Sequence, residues 1–161
     1  LNPVRDAATL VDLVRLLRRH RPDAVLSFTP KANIYGALAA RAVGVPVFPN
    51  VSGLGTAFIR GGALQQLVSA LYRTAFNRAD AVFFQNSEDL AEFTSGRLVR
   101  PQQARLIPGS GVDLTHFGPA PLRAASPVCR LLFVGRLLGD KGLRELADAM
   151  RLARRRGSEL H

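Results

Sequence analysis

The chain has 161 residues, 47% of them apolar, and a formal charge of +10 from 22 basic against 12 acidic side chains. That is enough apolar material for one ordinary core, while a single cysteine, Cys129, excludes an internal disulfide framework and suits a reducing compartment. The basic excess points to an anionic partner (phosphate, nucleic acid or an acidic membrane surface), and no run is long enough to span a membrane.

The pattern along the chain is one of short apolar runs and amphipathic stretches. Asp6 to His20 reads as a helix with Ala7, Leu10, Val14 and Leu17 on one face, stopped by Pro22. Ala24 to Phe28 is short and apolar, as a buried strand would be. Ala32 to Val43 is an Ala-rich helix closed by Gly44 at a favoured C-cap position. Val45 to Pro49 is a second strand. Leu64 to Arg78 is a helix with Leu64, Leu67, Val68, Leu71, Tyr72, Ala75 and Phe76 along one stripe. Asp80 to Gln85 is a third strand, and Ser87 is the expected cap of the helix after it. Arg105 to Ile107 is a fourth strand, leading into "PGSGVD". The "FGPAPLRAASPV" stretch breaks the period and reads as a linker. A strand at Leu131 to Val134 and a helix at Gly142 to Arg156 follow.

Regular alternation of strands and helices predicts an α/β fold with a parallel sheet. The division expected is a partial domain over residues 1–117, a linker over 118–128, and the start of a second domain over 129–161. The chain has no initiator Met, no signal peptide and a helical opening, so it is expected to be an internal piece of a longer protein. Right-handed crossovers put the strand-to-helix loops on one side, where open α/β sheets bind ligands.

Among these loops, "FVGRLLGDKGL" is the most explicit about chemistry. Arg136 and Lys141 flank the start of a helix, where free N–H groups and the helix dipole already favour an anion. A planar fork and a point charge together suit a polyanion, most simply a diphosphate. The alternative is that both are solvated surface cations. The spacing is not that of a P-loop, since no Ser or Thr follows Lys141. His20 and His116 have no neighbour at metal-ligand spacing, and no metal is expected. Ser110 lies between glycines, but Pro108 stands where a nucleophile elbow needs its first Gly.

"LLFVGRLLGDKGLREL" resembles the opening of the C-terminal domain in family-4 glycosyltransferases of the GT-B fold. "LIPGSGVDLTHFGP" and "ADAVFFQNSEDLAEF" resemble the segments that end the N-terminal domain there. The resemblance implies a Rossmann-like N-terminal GT-B domain, followed by the first strand and helix of the donor-binding domain. It implies that Arg136 and Lys141, with Gly135, hold the diphosphate of a nucleotide-sugar donor and act catalytically in a retaining transfer. The donor expected is a UDP-sugar, and the enzyme a hexosyl- or N-acetylhexosaminyltransferase without a cofactor.

"TPKANIYGALAA" and "NVSGLGTAFI" resemble bacterial members that act on undecaprenyl-diphosphate-linked acceptors in capsule, O-antigen or other glycan assembly. Lys31, Asn33, Ser52, Gly53 and Gly55 are then the acceptor-side candidates, and Gly109, Ser110 and Gly111 an interdomain loop. For Lys31 the alternative is a solvated loop cation, for Asn33 a helix N-cap, and for Ser52, Gly53 and Gly55 a tight turn. The four glutamates, Glu88, Glu92, Glu145 and Glu159, do not form the E-x7-E pair of the family. The piece by itself is therefore expected to be inactive, and poorly soluble.

A lipid-linked acceptor implies work at the cytoplasmic face of a membrane. Arg15, Arg18, Arg19 and Arg21, or the segment from Phe58 to Tyr72, are the candidate contacts; for the segment the alternative is core packing of Leu64, Leu67, Val68 and Leu71. Two rival classes are a non-catalytic or epimerase-type GT-B protein that binds phosphosugars, and a basic nucleic-acid-binding module. The second has no recognised motif to support it, and no nucleic-acid partner is expected.

Overall fold

A computed structural model describes residues 3–54, 62–109, 111–121 and 130–157. The chain divides into two compact units, Leu1–Asp113 and Leu114–His161. Most of the expected linker, residues 122–128, lies outside the described residues, as does Cys129.

Unit 1 alternates helix and strand throughout. It runs α1 (Pro3–His20), β1 (Val25–Phe28), α2 (Pro30–Val43), β2 (Val47–Val51), α3 (Gly62–Phe76), β3 (Val82–Phe84), α4 (Ser87–Ser95) and β4 (Ala104–Leu106). The four strands are parallel and lie in the order β1-β2-β3-β4. The expected parallel α/β architecture is what forms. Right-handed crossovers between sequential neighbours place α2, α3 and α4 on one face of the sheet.

The register confirms that one face is covered. Val47, Pro49, Val51, Val82 and Phe84 are buried, while Leu26 and Phe28 on the other face of β1 are 68% and 51% exposed. Phe48 is paired beside Leu26, and Asn50 and Phe83 are aligned with Phe28, so they share that open face. The missing N–H of Pro49 falls before the paired stretch of β2 and β3, which begins at Asn50. The strand therefore runs through the proline to Val51.

An aromatic cluster fills the covered side. Phe93 of α4 stands 5.0 Å from Tyr72 and 5.3 Å from Phe84, ring centre to ring centre, both edge to face. Burial pushes the Tyr72 phenol up to about 12, so it stays neutral across the physiological range. Gln103 ties the end of α3 to the start of β4. Its amide donates to the carbonyls of Phe76 and Ala79, and its oxygen accepts from the backbone and side chain of Arg100.

Several local expectations shift for physical reasons. Gly44 closes α2 in the left-handed conformation (φ 75°), as a C-cap glycine should. The cap of α4 is Asn86 rather than Ser87, because the Asn86 side chain accepts from the Asp89 amide at 2.7 Å. The inner stripe of α1 includes Leu10, Leu13 and Leu17 but not Ala7, which is exposed. On α3, Val68, Tyr72, Ala75 and Phe76 are buried, whereas Leu64 and Leu67 are 37% and 50% exposed.

Unit 2 contains a 3₁₀ turn at Gly139–Lys141 and α5 at Leu143–Arg155. The strand expected at Leu131 to Val134 does not form. A strand needs a neighbour to take its backbone hydrogen bonds, and unit 2 offers none among the described residues. The helix expected after it does form, because its period is local.

Candidate functional site

The strands of unit 1 all end at one pole, and there the backbone is under strain. Thr29, between β1 and α2, has φ 73° and ψ 150°, a region that a β-branched residue rarely adopts. Such a conformation costs about 1–3 kcal/mol and is concentrated at functional sites in general. Helix α2 starts immediately at Pro30, and no side chain caps it. Its first N–H groups therefore face outward from the end of the sheet.

Lys31 follows. Its amino group lies 2.8 Å from Asp6 of α1, whose side chain is 11% exposed against 66% for the lysine. The Lys31 amino group, with the Tyr35 hydroxyl adding a little, holds the Asp6 carboxyl below its ordinary range. The same pair raises Lys31 above its own, so the lysine stays charged. Lys31 is thus neither a merely solvated cation nor an unengaged one. The ion pair ties it to α1 and uses one of its three N–H donors.

Asn33 lies one turn inside α2, not at its cap. It is 1% exposed, and its amide donates to the Asn50 carbonyl at 2.8 Å. Its own side-chain oxygen is buried with no hydrogen-bond partner, as is the hydroxyl of Ser27 on β1. Asn50 in turn accepts from the Gln85 amide at 3.5 Å. A line of amides thus crosses the carboxyl ends of β1, β2 and β3. Buried polar groups lacking partners are uncommon in folded proteins, and two of them here concentrate unmet hydrogen-bonding capacity at this pole.

The other loop candidates are described in part. Ser52 is exposed and Gly53 half-buried at φ 147°, just after β2; Gly55 lies outside the described residues. Gly109 and Gly111, beyond β4, both have φ 77°, and Ser110 between them is also outside the described residues. Asp6, Thr29, Asn50 and Gln85 were not singled out from the sequence. Asn50 and Gln85 carried a signal, each being a polar side chain closing an apolar strand.

In unit 2, Arg136 and Lys141 bracket the turn that leads into α5. The Leu138 amide donates to the Arg136 carbonyl at 2.8 Å, and the Lys141 amide to the Leu138 carbonyl at 3.1 Å. These bonds fold the loop back so that both residues stand just before the helix. Both side chains are exposed, and neither has a hydrogen bond or ion pair among the described residues. Gly135 precedes them, also exposed. His116 packs edge-on against Phe117 at 4.6 Å. Among the described residues no metal-holding group of His, Cys, Asp or Glu occurs, and no helix is long and apolar enough to cross a membrane.

Two relatives are similar to this chain along much of its length. One is an N,N'-diacetylbacillosaminyl-diphospho-undecaprenol alpha-1,3-N-acetylgalactosaminyltransferase of Campylobacter jejuni, 27% identical over 92% of the chain. The other is a UDP-Gal:alpha-D-GlcNAc-diphosphoundecaprenol alpha-1,3-galactosyltransferase of Escherichia coli, 29% identical over 73% of it. The matched regions make up 44% and 30% of these proteins, so the chain spans less than half of either. The glycosyl transferase 4-like domain model matches residues 1–110, which takes in the whole four-stranded sheet and the strained, amide-lined pole at its end. By that match, the chain belongs to the glycosyl transferase 4-like family.

Proposed function

We propose that this chain is part of a retaining glycosyltransferase that moves a sugar from a nucleotide-sugar, a UDP-sugar, to a saccharide on undecaprenyl diphosphate. The observation that carries this reading is the strand-end pole of unit 1. Strain at Thr29, an uncapped helix start, a positioned Lys31 and unmet amide capacity coincide there, in a family of sugar-transferring enzymes. Both relatives are named for acceptors of this diphosphate-linked kind.

In this reading Lys31 and the start of α2 receive the acceptor diphosphate. Asn33 and Asn50 shape the ground beside it, and the loop containing Ser52, Gly53 and Gly55 admits the sugar. Arg136 and Lys141 hold the donor diphosphate. As the bond between the sugar's anomeric carbon and the diphosphate oxygen breaks, charge builds on the leaving group, and fixed cations stabilise it. In this reading the two cations neutralise that charge themselves. The acceptor hydroxyl attacks the same face of the sugar as its proton passes to the departing diphosphate oxygen, so the anomeric configuration is kept.

Exposed apolar residues of α3 support a membrane contact. Leu64 and Leu67 are exposed in its first turns, at the same end of the sheet as Lys31. Apolar side chains there suit shallow insertion beside a lipid-linked acceptor at the cytoplasmic face. The segment ahead of them, Phe58 to Gly61, lies outside the described residues. Arg15, Arg18, Arg19 and Arg21 are set toward the far end of α1, with Arg18 about 18 Å along the helix from Asp6. Products are surface polysaccharides such as capsule or O-antigen.

The test is transfer by the full-length protein from a panel of radiolabelled nucleotide-sugars to an undecaprenyl-diphosphate-linked saccharide. The expected product keeps the donor's anomeric configuration. Inverted product, or donor epimerised without transfer, overturns the proposal. Replacing Leu64 and Leu67 by Ser should weaken co-sedimentation with anionic vesicles, and unchanged binding removes the membrane assignment alone.

A further inference from the structure

The opposite pole of unit 1, where the strands begin, holds a second cationic cavity that the transfer reaction does not use. It measures about 440 Å³ and is lined by Arg73, Arg97 and Arg100 together with Asn77, Thr94 and Gln103. Helix α3, with 15 residues, is about 22 Å long and separates this pole from the strand-end site. A cation here therefore cannot touch a ligand bound beside Lys31.

Two of the three guanidinium groups are aimed by neutral partners. Arg73 donates through Nε to the Arg97 carbonyl and through Nη2 to the Gly96 carbonyl, both at 3.2 Å. Arg100 donates to the Gln103 side-chain oxygen at 3.0 Å and the Asn77 carbonyl at 2.9 Å. Carbonyls fix these side chains in place without cancelling their charge. Arg97 makes no side-chain hydrogen bond or ion pair among the described residues.

No carboxylate lines the cavity. The contrast with its neighbours sharpens the point. A cavity beside Arg41 and Arg78 contains Asp80, and one on the other side of Arg73 contains Glu92. Only the Arg97 cavity, of these three, gathers arginines without an acid. Arg97 also has φ 54°, a left-handed backbone that Gly or Asn adopts more readily. An arginine stands where the backbone alone favours glycine.

We propose that this cavity binds a phosphate oxyanion, either free diphosphate-type or the headgroup of an anionic lipid. Three arginines lining one cavity, two of them held by carbonyls, suit the several oxygens of a phosphate, which accept paired N–H bonds from arginine. A site of this kind, remote from the reaction, would let a phosphate-bearing effector or surface hold the domain without competing for substrate.

The experiment uses the full-length protein with Lys31→Ala, Arg136→Ala and Lys141→Ala already in place, so that neither proposed diphosphate contact of the transfer reaction contributes. Inorganic pyrophosphate is titrated by calorimetry. Phosphatidylcholine vesicles with and without phosphatidic acid are tested by co-sedimentation. Arg97→Gly and Arg97→Asn are compared with this parent, since both remove the charge and suit the left-handed backbone. Loss of one charge-assisted contact should weaken pyrophosphate binding about tenfold or more, while the urea midpoint holds or rises. Phosphatidic-acid-dependent sedimentation lost in both variants assigns the site to a lipid headgroup. Pyrophosphate binding with no lipid dependence assigns it to a free phosphate. Undiminished binding in both variants, or no binding of either probe to the parent, overturns the proposal.

Discussion

In unit 1, α2 buries Asn33, Ile34, Tyr35, Ala37, Ala39 and Ala40, and its one cation near the strand ends, Lys31, lies against Asp6. In unit 2, α5 buries nothing among the described residues, and Arg136 and Lys141 ahead of it have no partner there. The sequence offers all three cations on equal terms, each in a loop between a strand position and a helix. Their surroundings divide them. A cation with a buried carboxylate beside it is held in one orientation and shares its charge with the fold. A cation without one keeps its full charge for whatever binds. Lys31 thus behaves as a positioned contact, and Arg136 and Lys141 as open ones.

The largest expected effect tests whether only unit 1 has a consolidated core. Phe93→Ala should cost unit 1 about 3–5 kcal/mol, as removal of a fully buried aromatic does. Leu146→Ala on the half-buried side of α5 should cost well under half of that. Urea unfolding of each variant decides it, and equal losses would erase the distinction between the units.

Next in size is the effect on transfer. Arg136→Ala and Lys141→Ala should each lower the turnover of the full-length enzyme by one or more powers of ten, from loss of charge stabilisation at the leaving group. Thermal stability should not move, because neither side chain supports another. Unchanged kinetics in both would remove the diphosphate assignment and leave the sheet-end site standing.

Gly44→Ala should destabilise unit 1 by about 1–2 kcal/mol, since it forces a side chain into the left-handed cap of α2. No cavity or contact is lost, so the activity of the folded fraction should stay the same. An unchanged melting temperature would mean that the cap can relax.

The smallest effect belongs to the Asp6–Lys31 pair, whose lysine is largely exposed, so that solvent screens the pair. Asp6 titrates below its ordinary 3.8, so its contribution is present above that value and fades as pH falls through the lowered one. Asp6→Asn should be slightly less stable than the parent near neutrality and equal to it in strong acid. A difference that persists below the folded-state value would mean that the pair does not supply it. The sharper readout is functional: freed from Asp6, Lys31 loses its orientation, and the KM for a diphosphate acceptor should rise more than kcat falls.

Most of the fold was legible because its signals are local. Helix stripes, the Gly44 stop and the apolar strands all follow from near neighbours. The exceptions depend on partners distant in sequence. Leu131 to Val134 has the composition of a strand but no strand to pair with. Ala7 was expected inward, yet the inner side at that end of α1 belongs to Asp6, whose partner lies 25 residues on. The cations of the candidate site were legible as loop residues flanking a helix start. The amide line was not, since Asn33 of α2 and Gln85 just past β3 meet Asn50 only once the helix is packed and β2 is paired with β3. The strain at Thr29 is likewise set by the sharp turn from β1 into α2.

Strand order in unit 1 is also chain order: each strand pairs with the one made just before it. During synthesis, therefore, no strand of this sheet waits for a segment still inside the ribosome before it can find its earlier neighbour. Each new strand, once its crossover helix has emerged, extends an edge that already exists, so pairing is sequential and the loops to be closed are short. A stalled or shortened nascent chain would then hold a smaller version of the same sheet rather than a scrambled one. Translation itself can set the pace of assembly, from β1 toward β4.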